Sequence, residues 1–276
     1  TSHALESALL PKDDPALRHA TPESISSLSI DDVRMYHQKV FRPDLTTIVV
    51  IGQVTSERAR SVIERSFGAW KAEGPKPNVL LPPVPPNKAA TAVVPNASRV
   101  QDEVTLAQTL ELNRSNPAYY ALNLGNRVLG GAFYASRLSR DLRENAGLVY
   151  TVSSSLQATP SRAFYSVTYG CDPPNVSKAR AIVERDLKAM QATLVPDEAL
   201  HQAKVLLLQQ IPLSEASFSS IAEGLLARVT NELPLDEPTL AARRYAKLTA
   251  QQVQDAFTKW MRLSDLVQIT QGPNPQ

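Results

Sequence analysis

The chain has 276 residues, of which 43% are hydrophobic and 20% charged, enough for the core of one large or two modest domains and too apolar for a disordered, collagen-like or coiled-coil chain. Basic and acidic residues nearly cancel, 29 against 27, so the strong basic excess of a dedicated nucleic-acid binder is missing. One cysteine, Cys171, excludes an internal disulfide and a cysteine-built zinc site.

From the start of the chain, the sequence opens on Thr1 with polar residues and shows no signal peptide there. Ser29, with Asp32 three residues on, reads as a helix cap close to a capping box. Val33, Tyr36, His37 and Val40 then recur at helical spacing until Arg42-Pro43-Asp44. Thr46 to Ile51 is β-branched throughout and predicts a buried strand closed by Gly52. The most apolar run, Ile48 to Ile51, falls far short of the roughly 18 residues of a membrane span. Arg58 to Trp70 predicts a second helix, with Ala59, Val62, Ile63, Phe67 and Trp70 on one face.

Pro75, Pro77, Pro82, Pro83, Pro85 and Pro86 follow within twelve residues. Such a segment is stiff and cannot be helical, so residues 75–96 are expected to connect a first block, 1–74, to a second, 97–276. In the second block Val100 to Leu112 alternates like a strand. Asn116-Pro117 starts a helix that runs to about Leu129 and stops at Gly130-Gly131. Ser136 to Glu144 predicts a helix, Leu148 to Leu156 and Ala163 to Gly170 strands, and Val176 to Leu194 and Asp197 to Gln210 long helices, the second ended by Pro212. Two or three shorter helices complete the block. Glu103 and Glu111 read as edge or solvated residues, and Cys171 as a small packing residue.

Leu28, Val33, Lys39, Arg42 and Gly52 reappear 220 residues later as Leu248, Val253, Lys259, Arg262 and Gly272, and Thr249 with Gln252 forms a capping box in the second copy. Shared order and shared structural type indicate a tandem duplication. A repeat of this length places the beginning of the first copy about 120 residues before Thr1. The chain is therefore expected to hold the closing part of one domain, a linker and one whole domain.

The most distinctive segment runs from Gly130 to Tyr150: a glycine pair, a helix bearing Arg137, Arg140 and Arg143, a stop at Gly147, and a strand carrying Tyr150. Gly147 suits a helix C′ position, where the left-handed backbone favours glycine. By residue chemistry alone, a solvated arginine face, a C-cap and a surface tyrosine account for the segment. Its motifs, however, resemble the second-domain signature of the insulinase/pitrilysin (inverzincin) family of zinc metallopeptidases, which includes the mitochondrial processing peptidases. The pattern appears as Gly130-Gly131, Ser136-Arg137-Leu138, Leu142-Arg143-Glu144 and Gly147-Leu148-Val149-Tyr150. Pro117 to Leu122 also fits it, and Ala20 to Ile25 with Phe41 to Asp44 resembles the close of the family's first domain.

This resemblance implies an α+β fold of tandem metallohydrolase-like domains, each a mixed sheet with helices on one face, the first truncated here. It implies a peptide substrate held inside an enclosed chamber. Catalytic roles fall on Arg143 and Tyr150, donors that would orient the scissile carbonyl. Gly130 and Gly131 would form a closely packed loop beside the substrate. The family's His-x-x-Glu-His zinc motif is absent, and His3, His19, His37 and His201 have no second His at ligand spacing. Zinc is therefore expected outside this chain, on a catalytic half in cis or on a partner subunit, and the chain alone is expected to be inactive. The alternative is a non-catalytic interaction subunit of the same fold. No membrane span and no nucleic-acid partner are expected. The residues give no compartment, and family habit leans towards the periplasm or cell envelope.

Overall fold

The strongest alternating segments of the sequence become neighbours in one sheet. The structure, a computed structural model, describes residues 2–132, 135–273 and 275. Its strands are β1 (Ala90–Pro95), β2 (Asp102–Leu110), β3 (Val149–Ala158), β4 (Ala163–Cys171) and β5 (Val267–Gly272). They lie in the order β1-β5-β2-β4-β3, with β1 parallel to β5 and the other neighbours antiparallel. The helices in chain order are α1 (Ser2–Leu9), α2 (Pro22–Ser26), α3 (Ile30–Val40), α4 (Ser56–Phe67), α5 (Ala118–Asn126), α6 (Val176–Ala192), α7 (Asp197–Leu213), α8 (Phe218–Thr230), α9 (Glu237–Lys247) and α10 (Ala250–Trp260). Among the described residues no helix is long and apolar enough to cross a membrane.

Period-2 patterning decides what the sheet buries. Val104, Leu106 and Leu110 of β2 join Tyr165, Val167 and Tyr169 of β4 on one face. The helices α5, α6 and α10 cover it with Leu122, Leu124, Val183, Leu187, Val253 and Phe257. Each such side chain contributes about 1.5–3 kcal/mol on leaving water. The opposite face is also covered in part: Leu9 and Leu10, at the end of α1, pack on Ala107, Val267 and Ile269. The fold is thus α+β with a mixed sheet, as the resemblance implied, but helical cover is not confined to one face.

The chain forms two units. One contains Thr1–Leu17, Leu81–Ile211 and Asp236–Gln276; the other contains Arg18–Leu80 and Pro212–Leu235. Residues 2–17, grouped by sequence with the first block, pack instead with the sheet. Asp14 forms a buried ion pair with Arg162, which also donates from its Nε to the Pro82 carbonyl at 3.0 Å. The expected connector likewise contributes structure: Val84 is buried, and Ala90–Pro95 is strand β1.

In the other unit, α3 begins as its sequence requires, with Ser29 and Asp32 forming a reciprocal capping box. Thr46 to Ile51 differs from expectation. It pairs with no strand among the described residues, and Ile48 and Val50 remain 45% and 50% exposed. Pairing supplies the physical reason. β5, by comparison, is an interior strand held between β1 and β2, and β-branching cannot satisfy a backbone that has no neighbour to bond.

Candidate functional site

The glycine pair closes a helix that changes its winding. After α5 the backbone widens into a π-wound turn, Arg127–Gly131, and π-wound turns often mark functional sites. Packing fixes the residue type at position 130: a Cβ there would lie 2.7 Å from Ser154 Oγ and 2.9 Å from Ser154 N, so the turn rests directly on β3. Ser154 Oγ lies 2.6 Å from Asn126 Oδ1, and Arg127 Nη1 donates to the Gly131 carbonyl at 2.8 Å. Phe133 and Tyr134, within the same signature, lie outside the described residues.

The helix expected over Ser136 to Glu144 is largely a second π-wound turn, Ser139–Asn145. Gly147 ends it with φ 61°, the left-handed conformation that its C′ reading requires. The Leu148 N–H reaches back six residues to the Leu142 carbonyl at 2.9 Å, a closure lengthened by the π winding. β3 then starts with a fault in its pairing: Val149 opposes Cys171 and Thr151 opposes Gly170, leaving Tyr150 as the extra residue of a bulge. A bulge redirects its side chain, and Tyr150 is 69% exposed.

These three irregularities converge. A cleft of about 380 Å³ is lined by Gly130, Gly131, Ser139, Arg143, Tyr150 and the start of β3. All four residues singled out in the sequence therefore border one space. Arg143 is the charged residue among the described lining, so the cleft favours acceptors and anions. Ser139 was missed; its signal was the i, i+4 spacing to Arg143, which puts both on one helical face. β3 is also the last strand of the sheet, with β4 on one side and no strand on the other among the described residues. The cleft thus borders a strand edge with unpaired backbone donors and acceptors.

The histidines offer no comparable gathering. Among the described residues there is no group of three or more His, Cys, Asp or Glu placed to hold a metal ion. The donor set among the described residues does not fit a zinc site.

A family model described as the peptidase M16 inactive domain matches residues 27–207, well over half of the chain. The chain belongs to this family. The match confirms the resemblance drawn from the segment between Gly130 and Tyr150. This M16 inactive domain is 24% identical over 201 residues to an uncharacterized zinc protease, YmxG, of Bacillus subtilis, covering 72% of this chain and 47% of that protein. It is 22% identical over 235 residues to YmfF of the same organism, described as a probable inactive metalloprotease, covering 82% of this chain and 53% of that one. The chain thus spans about half the length of the curated relatives it matches. In fold it is similar to a peptidase M16 inactive domain from Pseudomonas fluorescens, with a TM-score of 0.86 and 24% identity over 99% of this chain and 65% of that chain.

Proposed function

We propose that this M16 inactive domain is the substrate-holding part of a two-part zinc endopeptidase. A peptide lies extended in the cleft beside β3, and the zinc and its attacking water belong to a catalytic half outside this chain. The observation that carries this reading is the meeting of Arg143, Tyr150 and the glycine pair at an unpaired strand edge. An edge strand offers backbone hydrogen bonds that a peptide of any sequence can complete. Arg143 and Tyr150 add donors that would hold the scissile carbonyl and favour the charge that develops on its oxygen. Gly130 brings the π-wound turn close to β3 and so sets one wall of the cleft. Residues 18–80 are read as the closing part of a first domain of the same kind, because α3 and the unpaired Thr46 to Ile51 repeat the order of α10 and β5.

The test is cleavage of a quenched fluorescent peptide by the complete two-part enzyme. Arg143→Ala and Tyr150→Phe are each expected to lower kcat/KM by about 10²-fold, the scale of losing one oxyanion donor. Unchanged cleavage in both variants would overturn the reading and favour a non-catalytic interaction subunit; the relative YmfF is described as a probable inactive metalloprotease. Chelator-sensitive cleavage by the isolated 276-residue chain would overturn it equally.

A further inference from the structure

Arg143 borders the cleft from a turn that has to be held in place. The stretch Ser139–Asn145 is π-wound, a winding that is rare and occurs mostly as single turns, so its geometry depends on what surrounds it. Leu142 anchors it from below, fully buried. Residues two apart do not share a helical face. Arg143 borders the cleft, and Asp141 turns towards α6 instead. There Asp141 collects three donors. Arg140 Nε lies 3.1 Å from its Oδ1, Asn145 Nδ2 3.3 Å from the same oxygen, and Arg185 Nη2 of α6 2.5 Å from its Oδ2. The contact from Asn145 closes a side-chain bridge across the turn, with Arg143 at its middle. The contact from Arg185 ties that turn to α6.

Arg185 is itself fixed from behind. Its Nε and Nη2 both donate to Asp186 Oδ1, at 3.0 and 2.7 Å, and Asp186 is buried in α6. A buried carboxylate on a long helix thus orients a guanidinium, the guanidinium holds Asp141, and Asp141 holds the turn that bears Arg143. Such a chain matters more for placement than for stability. The Arg185 side chain is 59% exposed, and ion pairs with exposed partners add little to the folding equilibrium. Placement is another matter, because moving a reacting group by about 1 Å can cost roughly 10²-fold in rate. Asp141 is absent from the described lining of the cleft, so it would act on a substrate only through Arg143.

We infer that Asp141, held to α6 through Arg185, is a positioning residue for Arg143, an inference that rests on the role proposed above for Arg143. The test uses the complete two-part enzyme and the same fluorescent peptide. Asp141→Ala is expected to lower kcat about tenfold with KM nearly unchanged, the pattern of an interaction that counts in the transition state. Arg185→Gln cuts the same tie from the α6 side and should reproduce that loss. In an Arg143→Ala background, Asp141→Ala should cost nothing further, because the group it places is gone. A general structural defect would instead add its own loss there. Full activity of Asp141→Ala or of Arg185→Gln, or additive losses in the double variant, would overturn the inference while leaving the role of Arg143 intact. Unchanged cleavage by Arg143→Ala alone would remove that role, and the positioning by Asp141 with it.

Discussion

Cys171, the chain's one thiol, shows how far residue chemistry reaches without a site. It ends β4 fully buried, and its pKa is pushed up to about 11, first by burial and then by the negative charges of Asp102 and Asp172. The folded chain therefore retains a proton that the unfolded chain releases near its ordinary value of 9.0. The stabilisation is present below that pH and is lost as pH climbs through about 11. At pH 8 a maleimide should leave Cys171 unmodified in the native chain and label it fully in denaturant; native labelling at the denatured rate would contradict this burial. The sequence reading of Cys171 as a packing residue follows from residue type alone. Arg143 and Tyr150 are different. Nothing in their own chemistry separates them from a solvated surface, and only the motif around them does. The bulge that redirects Tyr150 has no signature in the sequence, because it is a property of pairing with β4.

At the level of elements, periodicity located the secondary structure but not its winding. Residues on to Leu129 read as one helix, yet the chain widens into a π turn at Arg127, because Gly130 must approach β3 where an α-helical path would place it elsewhere. In an ordinary helix Gly→Ala gains about 1 kcal/mol. Here Gly130→Ala is expected to destabilise by about 1–3 kcal/mol, the range of overpacked cores, measured by urea unfolding, because the methyl meets Ser154. A stabilised variant would show that the turn does not rest on the strand. Strand β1 escaped the sequence reading for the complementary reason. Its six residues end in Pro95, none is buried, and they adjoin the proline cluster read as a connector, so it is pairing with β5 that makes them a strand. Thr46 to Ile51 has the composition of a strand and no partner. Composition reports which residues suit a sheet, and pairing decides whether there is one.

For the whole molecule, the first residues matter more than their position suggests. Leu9 and Leu10 cover Ala107, Val267 and Ile269, and Asp14 answers the otherwise isolated buried charge of Arg162. Removing residues 1–17 would expose the first and strand the second. A loss of about 3–5 kcal/mol is expected from the broken buried pair alone, read as a lower urea midpoint. Equal stability would show that the segment is dispensable. The division of the chain into two interleaved units has a further consequence, in time rather than in space. Arg18–Leu80 is made before the sheet, but the segment that completes its unit, Pro212–Leu235, follows about 130 residues later. During synthesis the first stretch must wait for that segment while most of the sheet is made. The unit that contains α8 can finish once α8 has been made, and the unit that contains the sheet only once β5 has followed, so completion of the two is ordered by the chain itself.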